Sequence, residues 1–556
     1  MPGGDSSNTK KRKTTRHFCP VFKMSRPALP RAETGDLDLV DELLLSIIDQ
    51  IDSHDTLCKF AASCSRFQGL VEPYVWRNLF ITNGEHARRV ASALDNRESR
   101  TSYIHELSIR YPFDQSAGIE QLSQWIAWMD KLRHLTIESP CPNNNEFHHT
   151  TYFDEATKID YKSLLEAAVL PRPGSPPALP MLQSLTLHGH GPDDRKFLFG
   201  KCAVMFLHPT LRRITVSCTN FDADITHNRI SPIQRKSTPL QSLTLIECNV
   251  NVKFLDVVLS LPKALKELDI GERQHVFPEC YPSHDSTTRT SHPLFLEALA
   301  RQADSLERLA HSSGNINYIS HRKADETGHG RLRDLINLQY LELGAESVLF
   351  SCLENNDYPD SLKTLKVTDA AWVNAIRTTE QILRHPGNLM RHCNDVLGRM
   401  TRPVNLDILF NTADCEAILS TIVASNQASA NLPTILGGPI RKPIYQLAAT
   451  LLSRNKRLRI SSQKFSGGKP YIPPYMYGEE APHEEQFYDS EDFWRLGGRN
   501  FKVMDDEDYR AEIEKSQVQI CLACKNVGRD CFNAGDGKTC IHCEASEEEC
   551  VYEEVV

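Results

Sequence analysis

The hexapeptide LQSLTL stands at residues 182–187 and again at 240–245, and its pattern recurs through the middle of this chain. Related segments are IHELSI (104–109), LRHLTI (132–137), LRRITV (211–216), LKELDI (265–270), LQYLEL (338–343) and LKTLKV (362–367), with LERLAH (306–311) as a degraded copy. Apolar and polar residues alternate in each segment, which is typical of a β-strand with one buried face. The alternation therefore predicts one strand in each copy.

The spacing of the copies predicts how these strands are arranged. The apolar residues at the centre of three successive copies, Leu185, Ile214 and Leu243, follow one another at intervals of 29 residues. This period resembles that of leucine-rich repeats, in which each repeat contributes a strand and a return segment. Apolar residues at helical spacing predict helical returns at 254–262 and 293–305. We therefore expect an α/β fold built around an irregular leucine-rich-repeat solenoid at 100–370, with parallel strands and helical returns.

The segments around the repeats have different compositions. Residues 1–36 are basic and lack apolar periodicity, which predicts a disordered tail. Residues 371–465 are less periodic and are predicted to be a helical and terminal repeat region, in which PVNLDILF and PIYQLAATLLSRNKRLRI form the last strands and helices. Residues 466–516 are rich in Pro, Gly and aromatic residues and then strongly acidic, which predicts a linker.

Bulk properties limit the functional classes. The net charge of −9 gives the chain no general attraction to nucleic acid or to an anionic membrane. The sequence contains neither a signal peptide nor an apolar run of the roughly 18 residues that a membrane span needs. We expect nuclear or cytoplasmic residence, slightly favouring the nucleus because Lys10, Lys11, Arg12 and Lys13 form a candidate import signal, although a solvated tail has the same composition. No nucleophile motif or carboxylate pair suggests an enzyme.

Residues 37–82 form a helical region of different character. The stretch DELLLSIIDQI (41–51) places its apolar residues on one helical face, and residues 52–55 can end this helix and cap the next. A second helix carries Leu57, Phe60 and Phe67 on one stripe, and a third is predicted to start with Pro73 in its first turn. Three short helices cannot bury a self-sufficient core, so we expect this region to pack on a partner.

This helical region resembles an F-box of the fungal type that precedes leucine-rich repeats. The resemblance is carried by Leu39, Glu42-Leu43-Leu44, Ile47-Ile48, Ile51, Asp55-Thr56-Leu57, Cys64-Ser65-Arg66-Phe67, Leu70 and Trp76-Arg77, with Val40 where the family usually has proline. It implies docking on the Skp-type adaptor of an SCF-type cullin-RING ubiquitin ligase. The implied adaptor-binding residues are Leu39, Leu43, Leu44, Ile47, Ile48, Ile51, Leu57, Phe60, Cys64, Phe67 and Trp76. The alternative is a helical cap on the following domain.

Residues 517–556 carry six cysteines in the pattern Cys521-x2-Cys524-x6-Cys531-x8-Cys540-x2-Cys543-x6-Cys550. In a reducing compartment such a cluster favours a metal site over disulfides, and thiolates select zinc. Six thiolates satisfy two tetrahedral zinc ions only if two sulfurs bridge, because two such ions need eight ligand positions. The segment has few large apolar residues, so we expect metal binding to supply most of its folding free energy.

The cysteine spacing resembles the fungal binuclear zinc cluster of many transcription factors. The resemblance implies that Cys521 and Cys540 bridge two Zn2+ ions. Residues 521–556 nevertheless hold three basic residues against eight acidic ones, a net charge of −5, which opposes contact with phosphate and makes DNA an unlikely partner. We therefore expect an F-box substrate-recognition subunit of a ubiquitin ligase, whose repeats bind a protein target. A zinc-cluster transcriptional regulator that binds DNA is the alternative.

Overall fold

The computed structural model describes the repeats, the helical region and part of the cysteine-rich segment. The described residues are 39–111, 115–139, 158–189, 204–217, 220–221, 234–272, 294–312, 330–344, 347–368, 396–410, 447–448, 450–452, 454–464, 483–490, 521–527, 543 and 549–551. The predicted basic tail, with Lys10, Lys11, Arg12 and Lys13, lies outside them, as do Cys531 and Cys540. No helix among the described residues is long and apolar enough to cross a lipid bilayer.

The strands line up along one continuous sheet in chain order. They are β1 Asn78–Ile81, β2 Glu106–Arg110, β3 His134–Ser139, β4 Ser184–Gly189, β5 Arg213–Ser217, β6 Asn220–Phe221, β7 Ser242–Val250, β8 Glu267–Glu272, β9 Arg308–Ser312, β10 Tyr340–Leu343, β11 Thr364–Thr368, β12 Asn405–Phe410, β13 Leu458–Lys464 and β14 His483–Asp489. All neighbouring pairs are parallel except β13 and β14, and the two-residue β6 pairs beside β7 off the main path. The predicted α/β class with parallel strands is confirmed.

α-Helices precede, connect and follow the strands. They are α1 Asp41–Ile48, α2 His54–Ser63, α3 Ser65–Arg77, α4 Gly84–Asn96, α5 Ser123–Ile126, α6 Tyr161–Val169, α7 Val252–Ser260, α8 Leu294–Ala300, α9 Leu349–Glu354 and α10 Leu522–Val527. The two predicted returns are α7 and α8, which pack against each other. Between two consecutive parallel strands the chain crosses back to the end of the sheet at which the first strand began. Consecutive strands therefore lie side by side in parallel.

Two boundaries differ from those expected. The third helix of the N-terminal region begins at Ser65 and runs through Pro73, because the chain is extended at Cys64, whose Sγ accepts a hydrogen bond from the Phe67 N–H at 3.4 Å. At the other end, β14 lies inside the acidic segment predicted to be a linker. Its acidic side chains find partners on the sheet, since Glu484 bonds Lys366 at 3.0 Å and Asp489 pairs with Arg457.

Two apolar ladders run across the sheet and form its buried face. The first consists of Leu79, Leu107, Leu135, Leu185, Ile214, Leu243, Leu268, Leu309, Leu341, Leu365, Leu406 and Leu458. The second consists of Ile81, Ile109, Ile137, Leu187, Val216, Leu245, Ile270, His311, Leu343, Val367, Ile408 and Ile460. The buried core is continuous from Ile81 to Ile460. Each aliphatic member contributes roughly 1.5–3 kcal/mol by leaving water.

His311 is the polar exception in the second ladder. It lies between Ile270 and Leu343, is 1% exposed, and its Nδ1 is 2.7 Å from the Ser347 Oγ. Its ring also lies 4.6 Å from that of Phe295. Burial lowers the pKa of His311 to about 3, so the folded protein holds a neutral imidazole.

We predict that His311 makes stability fall in mild acid. The unfolded chain binds the imidazole proton near pH 6.5 and the folded chain does not, so the free energy of unfolding declines below that pH. Between pH 7.5 and 5.0 the wild type should lose about 2 kcal/mol relative to the double variant His311→Leu, Ser347→Ala. Denaturant unfolding at both pH values measures this difference. The control Ile270→Val removes one methylene from the same ladder and should give the same change at both pH values; a pH-independent difference for the His311 variant would contradict the prediction.

Candidate functional site

The helical region has its own small core beside the sheet. Helices α1 and α2 both pack on α3, and Ile48, Leu57 and Val71 form a buried cluster separate from the main core. The Ser53 Oγ caps α2 by accepting a hydrogen bond from the Thr56 N–H at 3.3 Å, as the sequence indicated. Residues 41–77 therefore form a compact three-helix unit, which we call the helical module.

The structure divides the predicted adaptor-binding residues into three groups. The buried ones are Leu44, Ile48 and Leu57; the half-buried ones are Leu39, Ile51, Phe60, Phe67 and Trp76; the exposed ones are Leu43, Ile47 and Cys64. Phe60 and Phe67 stack with their ring centroids 4.2 Å apart. The single apolar face expected on α1 is thus two faces: one packs inside the module, and the other points to solvent.

The solvent face of α1 is an apolar patch formed by Val40, Leu43 and Ile47, which are 55%, 52% and 48% exposed. The start of the helix is held in place by Arg66, which donates to the Leu39 carbonyl at 2.6 Å and to Asp41 Oδ1 at 2.8 Å. Three adjacent exposed aliphatic side chains on a fixed helix are a feature of protein-binding surfaces. This patch is the candidate docking surface of the module.

A buried carboxylate attaches the helical module to the repeats. Glu72 on α3 is 5% exposed and pairs with Arg97 and with Arg100, whose Nε lies 2.6 Å from Glu72 Oε1. The Arg100 guanidinium also stacks over the Trp76 ring, 5.0 Å from its centroid. Glu72 was not predicted as a functional or structural residue from the sequence, although a carboxylate next to Val71 in an amphipathic helix is a signal for it. Removing both arginines would leave the buried Glu72 charge uncompensated, which is destabilising, whereas Arg97 is 48% exposed and can be hydrated without its partner.

The side of the sheet opposite the ladders is lined by polar side chains, and we call it the polar face. Its central row starts at Phe80, continues with the hydroxyl residues Ser108, Thr136, Thr186, Thr215 and Thr244, and ends with Asp269, Ala310, Glu342, Lys366, Asp407 and Arg459. The row is therefore mainly neutral over the first six strands and charged over the last ones.

Most charges on the polar face pair with one another. Glu342 on β10 accepts from Arg308 at 3.2 Å and lies 3.4 Å from Lys366 Nζ. Arg459 donates through its Nε to Asp407 at 2.8 Å. The Arg308 guanidinium also lies over the Tyr340 ring, 4.0 Å from its centroid. These contacts neutralise the charges along β9 to β13.

Asp269 on β8 differs from these paired residues. Water reaches its carboxylate, yet the surrounding protein atoms desolvate it, and this burial together with the negative charge of Glu342 raises its pKa to about 6. The positive charges of Arg308 and Lys366 oppose the shift. In the sequence, Asp269 stands between the two buried residues of the LKELDI segment, at the position where five preceding strands have threonine or serine, and this departure from the pattern could have marked it.

We predict that Asp269→Asn stabilises the protein at pH 7.5 by about 1 kcal/mol, a value reduced for screening by solvent. The folded state disfavours the charged carboxylate, so its penalty is present above pH 6 and disappears as the pH falls towards 4. Melting curves of the variant and wild type at pH 7.5 and 4.0 test this. The exposed control Asp304→Asn should change stability by less than about 0.5 kcal/mol, and a destabilising effect of Asp269→Asn at pH 7.5 would contradict the prediction.

The described cysteines of the C-terminal segment converge on one point. Cys521 and Cys543 are buried, Cys550 is half-buried, and their Sγ atoms all lie within 4.8 Å of one another. The Cys521 and Cys543 sulfurs are 3.7 Å apart, which agrees with the ~3.8 Å between two thiolates bound to one tetrahedral zinc ion at about 2.3 Å. These three cysteines can hold a metal ion.

A backbone hydrogen bond joins two parts of this segment close to the sulfurs. The Leu522 N–H, at the start of α10, donates to the Val551 carbonyl at 2.8 Å and joins the two ends of the cysteine pattern. Cys524 belongs to α10, but its side chain is outside the described part of the structure, and so are Cys531 and Cys540. Three of the six predicted ligands are thus brought together by the structure.

No family model matches this chain, and a search of curated proteins found no significantly similar sequence. Function must therefore be inferred from the patch on α1, the polar face and the cysteine cluster.

Proposed function

We propose that this protein is an F-box-type substrate receptor of an SCF-type cullin-RING ubiquitin ligase, with a leucine-rich-repeat-like solenoid that binds the target. The observation that carries the proposal is the exposed apolar patch of Val40, Leu43 and Ile47 on a separate helical module. The module presents this patch beside a long parallel sheet. The protein itself performs no chemistry in this role.

Docking through the patch is energetically reasonable. Leu43 and Ile47 are about half exposed, so burying the remaining apolar surface of each in an adaptor groove contributes roughly 1 kcal/mol. A helix that lies in an apolar groove is a common recognition mode. Leu44 and Ile48 have a different role, since they are 2% and 1% exposed and hold the module together. A target bound on the repeats would then be held near the ligase at a high effective concentration.

We predict that Leu43→Asp combined with Ile47→Asp abolishes co-purification with the Skp-type adaptor, because two carboxylates cannot enter an apolar groove unpaired. The melting temperature should change little, since both side chains are exposed. A pull-down of the adaptor by the full-length chain, with a melting curve of each variant, measures both effects.

The matched control places aspartate at two exposed apolar positions of the repeats, Leu170 and Ile336, which are 65% and 58% exposed. This control should retain the adaptor. Undiminished adaptor recovery by the Leu43, Ile47 variant would refute the F-box assignment. The variant Leu44→Asp, Ile48→Asp is unsuitable, because it would unfold the module.

We also propose that the C-terminal cysteines hold two zinc ions, with Cys521 and Cys540 as bridging ligands. The support is that Cys521, from the first half of the pattern, lies beside Cys543 and Cys550 of the second half, where a bridging sulfur belongs. The net charge of −5 in this segment favours a protein-interaction tail over a DNA-binding domain.

We predict two zinc ions per chain in native mass spectrometry of the full-length protein. Cys543→Ser should lose at least one ion, because serine is a poor ligand for zinc. The exposed Cys64→Ser is the control and should keep both ions. A single ion in the wild type would refute the two-ion proposal, and an unchanged zinc content in the Cys543 variant would remove this residue from the ligand set.

A further inference from the structure

Three arginines lie in one row along the edge of the sheet at which the strands begin. The row consists of the residue that precedes each strand, and backbone hydrogen bonds fix its order. The His105 N–H donates to the Arg77 carbonyl and the Arg133 N–H donates to the His105 carbonyl, both at 2.8 Å. Gln183 and then Arg212 follow through the same kind of bond, at 2.8 and 2.9 Å. Arginine thus occupies every second position, and because neighbouring strands are about 4.8 Å apart, successive arginines start about 10 Å from one another.

The positive charges in this part of the row have no anionic partner. Arg77, Arg133 and Arg212 are exposed, and within the described part of the chain their guanidinium groups form no ion pair and donate no hydrogen bond. The same row is compensated further along the sheet, where Lys266 before β8 pairs with Glu307 before β9 at 2.9 Å. The uncompensated charge is therefore confined to the first strands of the repeats.

The surroundings of the three arginines are also positive. Lys131 and Arg213 are exposed, lie within two residues of the row in the chain and form no ion pair with any described residue. The exposed carboxylates next to the row in the chain are Glu106 and Asp130. Burial and then three of the cations lower the pKa of His105, which is therefore neutral at pH 7. We call the five cations the basic edge; they are Arg77, Lys131, Arg133, Arg212 and Arg213.

The chemistry of the basic edge suits carboxylates. A guanidinium group is planar and can donate two parallel hydrogen bonds to one carboxylate, which makes this pairing stronger and more directional than one with a lysine ammonium. Between the arginines, the neutral side chains of His105 and Gln183 can hydrogen-bond the backbone of a bound chain. A row of this composition therefore matches an extended polypeptide that carries acidic side chains at intervals.

The spacing of the arginines favours a polypeptide over a nucleic acid. A polyproline-II chain rises about 3.1 Å per residue and has three residues per turn, so carboxylates at every third position recur about every 9 Å on one side. This interval is close to that of the arginines. A nucleic-acid strand carries a charge about every 3.4 Å and would bring a denser negative charge to a chain whose own net charge is −9.

We propose that the basic edge docks an extended acidic segment of the target polypeptide, whose carboxylates bind Arg77, Arg133 and Arg212. The proposal rests on the proposed function in treating the repeats as the target-binding part, and it adds the chemical class of the segment that they recognise. Attraction between the opposite charges also accelerates association of such a target, and salt weakens this effect.

The probe is a fluorescein-labelled peptide of four Glu-Pro-Pro repeats with blocked ends, which favours polyproline II and places a carboxylate at every third residue. Its binding to the full-length protein, without adaptor, is measured by fluorescence polarisation at low salt. We expect saturable binding to the wild type, and the variant Arg77→Gln, Arg133→Gln, Arg212→Gln should bind about 10-fold more weakly or worse.

A matched control removes the same charge outside the row. Lys253→Gln, Arg331→Gln, Arg399→Gln changes three exposed cations and should bind the peptide within about 2-fold of the wild type, because distant surface charges are screened. A peptide of four Gln-Pro-Pro repeats has the same shape without the charge and should not bind. The melting temperature of each variant checks its folding, and it should change little because every substituted side chain is exposed.

Three results would overturn the proposal. They are no binding of the acidic peptide by the wild type, equal binding by the wild type and the row variant, and equal binding of the acidic and neutral peptides. Tighter binding of pentathymidylate, whose four phosphodiesters carry the same charge as the acidic peptide, would also overturn it if that binding is lost in the row variant, since the row would then be assigned to nucleic acid.

The outcome is separable from that of the adaptor experiment. Because no adaptor is present, loss of peptide binding in the row variant does not depend on the F-box assignment. The row variant should also retain the Skp-type adaptor in the pull-down, whereas the Leu43, Ile47 variant should retain the acidic peptide.

Discussion

The parallel register of the two apolar ladders is the constraint on which the rest of this structure depends. Each of the parallel strands β1–β5 and β7–β13 contributes one residue to each ladder, and the same pairing continues from Leu79 to Leu458. A slip of one residue would turn the apolar side chains to solvent and the polar row into the core, so the ladders specify the register strongly. The return segments pack on the same core. Gln302, in the turn that follows α8, is buried, and its side chain donates hydrogen bonds to the Leu259 and Pro262 carbonyls at 2.6 and 3.1 Å.

A sheet of this kind has two ends that must be covered, and the chain uses its flanking segments there. At the start, Glu72 of the helical module forms ion pairs with Arg97 and Arg100, which lie between β1 and β2 in the chain. At the end, β14 pairs antiparallel with β13 and places Asp489 on Arg457. The first contact fixes the helical module beside the sheet, and the second adds a last, antiparallel strand to it. The helical module that carries the proposed docking patch is therefore held beside the start of the sheet by these contacts.

Polar substitutions interrupt the regular pattern in one part of the sheet. His311 replaces an aliphatic residue in the buried ladder on β9, and Asp269 replaces a hydroxyl residue on the polar face of β8. The first has its imidazole beside the Ser347 hydroxyl, whereas the second has no ionic partner among the described residues. Buried polar groups that find partners are structural features, while unsatisfied charges more often indicate function.

The sequence by itself determined the strands and the kind of chemistry at the C-terminus. Alternation with period two specifies a half-buried strand wherever LQSLTL or its relatives occur. Six cysteines in two C-x2-C pairs, each pair followed after six residues by a third cysteine, are suited to metal. Only the tertiary structure decided which α1 residues face outward, because Leu43, Leu44, Ile47 and Ile48 cover about half of the helix circumference and the position of α3 selects the buried side. The same holds for β14, an acidic strand whose partners Lys366 and Arg457 are distant in the chain. Local periodicity is a property of neighbouring residues, whereas these choices depend on contacts between segments far apart in sequence.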